Sequence, residues 1–136
     1  MDKAIIIIIL TVVVLGFLFW GFQTGFFVKK EVPVIPLPEG IVLFFGEGCP
    51  HCKLVEDFIS QNKISEKVQF TQLEIPYNGK NSTQLTANAG VLVQVAQECK
   101  LDISGGVNIP FLWDGQNCLV GDEPIINFFK TRAGIQ

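Results

Sequence analysis

A long apolar segment without charges dominates the N-terminal part of the hydropathy pattern. No Asp, Glu, Lys or Arg occurs from Ala4 to Val28, and Thr11 is the only polar residue before Trp20. About 20 apolar residues in a helix are long enough to cross a hydrocarbon core of roughly 30 Å. A cleaved signal peptide has a shorter apolar part and ends in small residues, whereas this segment ends in aromatic ones. The sequence therefore predicts an uncleaved transmembrane anchor over residues 1–28, with a signal peptide or a buried helix of a soluble domain as the alternatives.

Proline is the frequent residue in the segment that follows. Three prolines fall within residues 29–39. Each fixes its own φ and biases the preceding residue towards extended backbone. The pattern predicts a stiff spacer of about 3.1 Å per residue, in which Val32 to Ile35 is a candidate edge strand. Residues 40–136 then suit one small domain with a single core.

The apolar periodicity of this domain predicts strand, helix, strand, helix, hairpin and helix, in that order. The predicted elements are a strand at 41–45, a helix from Pro50, a strand at 67–75, a helix at 81–100 capped by Ser82 or Thr83, hairpin strands within 109–120, and a helix capped by Asp122. Strands joined through a helix are parallel, whereas hairpin strands are antiparallel. The predicted fold class is α/β, with a mixed four-stranded sheet and helices on both faces, preceded by one transmembrane helix.

Charge narrows the range of functions. The chain has 10 Lys and Arg against 13 Asp and Glu, a net charge of −3, and its acidic residues are scattered. Without a basic stripe, nucleic acid is not an expected partner.

Two cysteines lie two residues apart, where the first predicted strand gives way to a helix. If Cys49 caps the helix that starts at Pro50, the first backbone N–H groups and the helix dipole favour its thiolate, which is the nucleophile of disulfide exchange. Cys52, one turn later, is placed to attack a mixed disulfide at Cys49. His51, the only histidine, shares this turn; when protonated it stabilises the thiolate further and makes the pair a stronger oxidant. We predict Cys49, Cys52 and His51 as the catalytic residues.

The segment "FFGEGCPHCK" resembles the active-site segment of the thioredoxin superfamily, and "CPHC" is the tetrad of the DsbA-type disulfide oxidases. The order of elements over residues 40–136 is similar to the minimal thioredoxin or glutaredoxin fold. The resemblance implies a three-layer fold in which a cis-proline, Pro110, faces the cysteine pair. It also implies a groove for protein substrates, to which Pro50, Ile109, Pro110 and Gly121 are assigned.

The sequence departs from this family at two positions near the motif. The family acid six residues before the first cysteine is Leu43 here, and the family tryptophan before that cysteine is Gly48. The helical insertion of DsbA is also absent, so the resemblance to DsbA is in the motif only. An oxidase is favoured over a reductase, and the direction of electron flow stays open.

The other two cysteines bear on the compartment. We predict a structural disulfide between Cys99 and Cys118, with two buried free thiols as the alternative. A structural disulfide places the domain on the extracytoplasmic side of the cell membrane, although Lys29 and Lys30 tip the lysine count slightly the other way. The expected partners are protein thiols and disulfides, a redox partner that resets the pair, and the lipid bilayer. The cysteine pair itself is the redox centre, so no further cofactor is expected.

The sequence as a whole predicts a membrane-tethered thiol–disulfide oxidoreductase. A zinc-binding membrane protein is one alternative, but zinc requires four ligands, and the motif supplies too few unless Cys99 and Cys118 converge on it. A redox-inactive interaction module that keeps the fold is the other.

Overall fold

The computed structural model describes the backbone of residues 2–23 and 36–135, and the side chains of residues 2–16 and 36–135. The chain divides into two compact units, residues 1–34 and 35–136. In the first unit, α1 spans Lys3–Gln23. No helix of the described residues combines the length and the apolar character that crossing a membrane requires. The anchor over residues 1–28 therefore stays a prediction. The candidate edge strand at Val32 to Ile35 and most of the predicted spacer lie outside the described residues.

The second unit contains four strands and four helices within its described residues. They are β1 (Val42–Phe45), α2 (Pro50–Gln61), α3 (Ile64–Lys67), β2 (Thr71–Glu74), α4 (Thr83–Glu98), β3 (Phe111–Trp113), β4 (Cys118–Val120) and α5 (Asp122–Ala133). The strands form one sheet in the order β2-β1-β3-β4. β1 is parallel to β2 and antiparallel to β3, and β3 is antiparallel to β4. The predicted mixed four-stranded sheet is confirmed.

The central strand β1 is apolar on both sides because helices cover both faces of the sheet. Successive side chains of a strand point to opposite faces. Phe44 packs with Leu92 and Val95 of α4 on one face, whereas Leu43 packs with Val55 of α2 and Phe129 of α5 on the other. The result is a three-layer α/β/α domain, as the hydropathy pattern predicts.

The second strand is shorter than the predicted 67–75. Residues 64–67 form the short helix α3 instead, and β2 begins only at Thr71. Ile64 is fully buried in the cluster beneath α2 and α5, and Val68 and the partly buried Phe70 join the same cluster. Their apolar pattern therefore comes from packing against helices rather than from strand alternation.

The start of α5 also differs from the prediction. Gly121 occupies the capping position with a φ of 94°, and Asp122 is the first helical residue. Glycine suits this position because a side chain is strained at positive φ. The Asp122 carboxylate is consequently not the cap of its own helix.

The hairpin and the chain entry meet at the amino end of β1. The Asp114 carboxylate accepts hydrogen bonds from the backbone N–H of Gln116 and Asn117, at 2.9 and 2.6 Å, which fixes the β3–β4 turn. Trp113 pairs with Val42 across the sheet. Its indole N–H donates to the carbonyl of Pro38 at 3.1 Å. Residues before β1 are thus tied to the end of the sheet where that strand begins.

Candidate active site

Cys49 begins α2 as its capping residue. Its backbone is extended, and its sulfur accepts a hydrogen bond from the Cys52 N–H at 3.3 Å. Pro50 occupies the first helical position, where the N–H that proline lacks has no helical partner in any case. The turn before the helix is closed by the Cys49 N–H, which donates to the Gly46 carbonyl at 3.1 Å. The helix start thus holds the Cys49 sulfur against the backbone N–H of Cys52, at the helix end where the dipole favours negative charge.

The two sulfur atoms of the motif are close together and differ in environment. They lie 2.6 Å apart, and both cysteines are free thiols with little solvent exposure. Burial, followed by the hydrogen bond to Cys49, raises the pKa of the Cys52 thiol to about 12, because both favour the neutral form. Cys52 is therefore a thiol at neutral pH, and Cys49 is the residue whose sulfur accepts a backbone hydrogen bond.

The loop before β3 faces the cysteine pair. The Ile109–Pro110 peptide bond is cis, and the Ile109 carbonyl lies 4.0 Å from the Cys49 sulfur. The Gly121 N–H donates to the Pro110 carbonyl at 2.9 Å. The structure thus brings Cys49, Ile109, Pro110 and Gly121 to one end of the sheet. Pro50 is on the exposed side of the helix start, and Pro110 is buried.

His51 has a partner that the sequence does not reveal. Its Nδ1 lies 3.1 Å from Oδ1 of Asp122, across 71 residues of chain. The sequence suggests only a helix cap at Asp122. The signal that was available is its position directly after Gly121, which the family resemblance already places at the groove.

The loop after β2 packs against the turn that precedes Cys49. A Cβ atom on Gly46 would lie 2.6 Å from Cβ of Tyr77 and 2.9 Å from Cδ1 of Ile109. Lys80 forms ion pairs with Glu47 in that turn and with Glu74 at the end of β2. The hydrogen bond from Lys80 lowers the pKa of the Glu47 carboxyl. Tyr77 and Lys80 are site neighbours that the sequence pattern does not single out.

Cys99 and Cys118 lie in a second region of the domain. The structure joins them in a disulfide with a Cα–Cα distance of 6.2 Å. Cys99 follows the last turn of α4, and Cys118 starts β4. They are not brought to the Cys49–Cys52 pair. Among the described side chains, those of residues 2–16 and 36–135, no three His, Cys, Asp or Glu gather as metal ligands would.

Comparison with known proteins finds matches among solved structures alone. No protein-family model matches the chain, and no curated protein matches it. Two solved chains match. One is oxidised glutaredoxin 2 from Chlamydomonas reinhardtii, at 17% sequence identity and a TM-score of 0.40, over 71% of this chain and 84% of that chain.

The second unit combines several features of the fold that the sequence predicts. The sheet order is β2-β1-β3-β4 with one parallel and two antiparallel pairings, helices cover both faces, and a cis-proline lies opposite a Cys-Pro-His-Cys helix start. Residues 36–135 thus have the mixed four-stranded, three-layer architecture that the resemblance to the thioredoxin superfamily implies.

Proposed function

We propose that this protein is a thiol–disulfide oxidoreductase that exchanges disulfides with protein substrates through Cys49 and Cys52. One observation carries the proposal: the Cys49 sulfur caps α2, 3.3 Å from the Cys52 N–H and 2.6 Å from the Cys52 sulfur. A thiolate at a helix start is stabilised by the dipole and by the N–H donors. The nearby second thiol gives the site an intramolecular second step.

The reaction proceeds through a mixed disulfide. The Cys49 thiolate attacks one sulfur of a substrate disulfide, so that a Cys49–substrate S–S bond forms, the substrate bond breaks, and the leaving thiolate takes up a proton. Cys52 then loses its proton and attacks the Cys49 sulfur. This step releases the second substrate thiol and leaves a Cys49–Cys52 disulfide. Oxidation of a substrate dithiol is the same sequence in reverse.

We favour the oxidising direction. Groups that stabilise the reduced pair make its disulfide a stronger oxidant. Backbone N–H donors and His51 in the first turn of α2 act in this sense. The measured potential discriminates the directions, because DsbA-type oxidases lie at about −120 mV and thioredoxin-type reductases at about −270 mV. Equilibration of the purified protein with glutathione buffers is expected to give a value nearer the first.

Substrate recognition is assigned to the surface around the cis-proline. Ile109 and Pro110 lie opposite Cys49, and Gly121 is hydrogen-bonded to Pro110. Pro50 is exposed next to the reacting sulfur. These residues form the proposed groove for an extended substrate peptide. A separate redox partner, which resets the pair after each turnover, is expected to use the same surface.

The proposed location is the cell membrane, with the thioredoxin-like domain on the extracytoplasmic side. The charge-free sequence from Ala4 to Val28 supports a single-pass anchor, and the Cys99–Cys118 disulfide supports an oxidising compartment. The full chain is expected to stay with membranes after alkaline carbonate washing. Release of the protein into the wash would exclude the anchor.

The activity is tested with single cysteine variants of the full chain in detergent. Cys52→Ser is expected to accumulate a mixed disulfide with a disulfide-bonded protein substrate, because the second step is missing. Cys49→Ser is expected to show neither the trapped complex nor exchange above the uncatalysed rate. Trapping is read by non-reducing electrophoresis and exchange by mass spectrometry. Full exchange by Cys49→Ser would contradict the role of Cys49, whereas a native protein that binds the substrate without exchange above the uncatalysed rate would favour the redox-inactive interaction module.

A further inference from the structure

A carboxylate from α5 contacts the first turn of α2. Oδ1 of Asp122 lies 3.1 Å from Nδ1 of His51. The two side chains differ in exposure, at 68% for His51 and 28% for Asp122. Asp122 is thus the more enclosed of the two, and the contact holds an otherwise exposed imidazole against the domain.

The contact defines which ring nitrogen carries a proton. A carboxylate only accepts hydrogen bonds, so a hydrogen bond between these atoms requires the proton on Nδ1 of His51. A partner on one ring nitrogen fixes both the tautomer and the orientation of the imidazole. Without that partner, an exposed ring samples several rotamers.

The position of Asp122 connects this ring to both parts of the site. Cys49 caps the helix whose first turn contains His51. Asp122 directly follows Gly121, whose N–H binds the Pro110 carbonyl. The contact therefore connects the helix turn that Cys49 caps with the residue that follows Gly121.

We propose that Asp122 is a positioning residue that orients His51 for the attack of Cys49 on a disulfide. This inference rests on the proposed exchange function and deepens it. Its chemistry needs no further reactant: the Cys49 thiolate attacks a disulfide sulfur, the leaving thiolate takes up a proton, and Asp122 only orients the ring that, when protonated, is proposed to stabilise the attacking thiolate. The structural alternative is that the Asp122 carboxylate only stabilises the start of α5 through the helix dipole.

Glu123 supplies a matched control that tests the structural alternative. It lies next to Asp122 in the first turn of α5, carries the same charge and is exposed. Among the side-chain contacts of the described residues, the acidic partner of His51 is Asp122. Asp122→Ala and Glu123→Ala therefore remove the same charge from the same helix end, and only the first removes the contact to His51.

The experiment measures the rate at which the reduced full-length protein, in detergent at pH 7, is oxidised by oxidised glutathione. Acid quenching and mass spectrometry follow the mixed disulfide and then the Cys49–Cys52 disulfide. Asp122→Ala is expected to slow the first step by about two- to fivefold, the size of effect typical of an exposed charged contact. Glu123→Ala should leave the rate within about 1.3-fold, and Asp122→Asn, which keeps an acceptor oxygen, should recover part of the loss.

Two further measurements separate positioning from a structural role. In the His51→Ala background, Asp122→Ala should have no additional effect on the rate, because there is no ring to orient. Imidazole ¹⁵N shifts, unambiguous because the chain has one histidine, should report the Nδ1–H tautomer in the native protein and its loss in Asp122→Ala.

Either of two results would overturn the inference. One is equal slowing by Asp122→Ala with and without His51, and the other is equal slowing by Glu123→Ala. A native protein that exchanges with glutathione no faster than a free thiol would instead remove the proposed function itself. The two failures are therefore distinguishable.

Discussion

The two cysteines of the motif have different environments although only Pro50 and His51 lie between them in the sequence. Cys49 accepts the Cys52 N–H at the helix start. Cys52 is 1% exposed, and burial raises the pKa of its thiol to about 12. The Cys49 sulfur thus accepts a backbone hydrogen bond, whereas the Cys52 sulfur is buried as a neutral thiol. This asymmetry supports the proposed roles of Cys49 in attack and of Cys52 in resolution.

The raised pKa of Cys52 predicts a loss of stability at alkaline pH. The ordinary thiol value of 9.0 applies to the unfolded chain and about 12 to the folded one. As pH rises above 9, the unfolded state releases this proton first, so the contribution of Cys52 is fully present below pH 9 and is lost between 9 and 12. The free energy of unfolding should fall by about 1.4 kcal/mol per pH unit in that window.

Cys49→Ser is the suitable background for this measurement, because it keeps Cys52 buried and requires no reductant. Its urea unfolding is compared with that of Cys49→Ser/Cys52→Ser between pH 8 and 10.5. The double variant should lack the additional slope. Parallel curves for the two proteins would show that the Cys52 thiol ionises as readily in the folded chain as in the unfolded one.

At the level of the elements, three loops converge at the carboxyl end of β1. They are the turn before Cys49, the loop after β2 and the loop before β3. They meet at Gly46, which has a hydrogen atom in place of a side chain. Tyr77 and Ile109 occupy the space that a Cβ there would need. The cysteine turn and the cis-proline loop are therefore packed at a fixed distance.

Gly46→Ala is expected to destabilise the domain by about 1–3 kcal/mol, the usual cost of overpacking a tight contact. Tyr77 must move at its Cβ, which is close to the backbone, so the strain cannot be relieved by rotation of a flexible side-chain end. Gly105→Ala is the control, because a Cβ there meets nothing within 4 Å. Urea unfolding of both variants tests the expectation, and equal stabilities would contradict it.

The elements were predictable where one pattern decides them. Strand β1, the start of α2 at Pro50 and the helix capped by Ser82 follow from apolar runs, proline and a hydroxyl cap. Helix α3 was not predictable, because its four residues, which begin at Ile64, are helical where they pack beneath α5. The Asp122 contact was not predictable either, because it joins residues 71 apart through the sheet.

On the scale of the whole domain, one disulfide spans the sheet edge. Cys99 and Cys118 are 19 positions apart in the sequence, and the segment between them includes the cis-proline loop. A crosslink over a loop of this length restricts the unfolded chain and thereby raises the free energy of unfolding by about 3 kcal/mol. It also joins the end of α4 to β4, the strand that leads to Gly121.

Cys99→Ala/Cys118→Ala should therefore unfold at lower urea concentration, with a loss of about 3 kcal/mol relative to the native chain without reductant. The Cys49–Cys52 couple should remain able to exchange, since the two pairs lie in separate regions. Unchanged stability would mean that the crosslink contributes nothing to the folded state in solution. Thiol counting on the native chain provides the control that the pair is oxidised.

The hydrogen bond between Trp113 and Pro38 has a mechanical consequence. It fastens the incoming chain beside Val42, at the amino end of β1, while the cysteines follow the carboxyl end of the same strand. Tension applied to the chain ahead of Pro38 is thus transmitted to the middle strands of the sheet. It acts at the end of the sheet that is remote from the sulfur atoms. The groove proposed for protein substrates is at the other end of the sheet, so such tension would not act directly on the Cys49 turn.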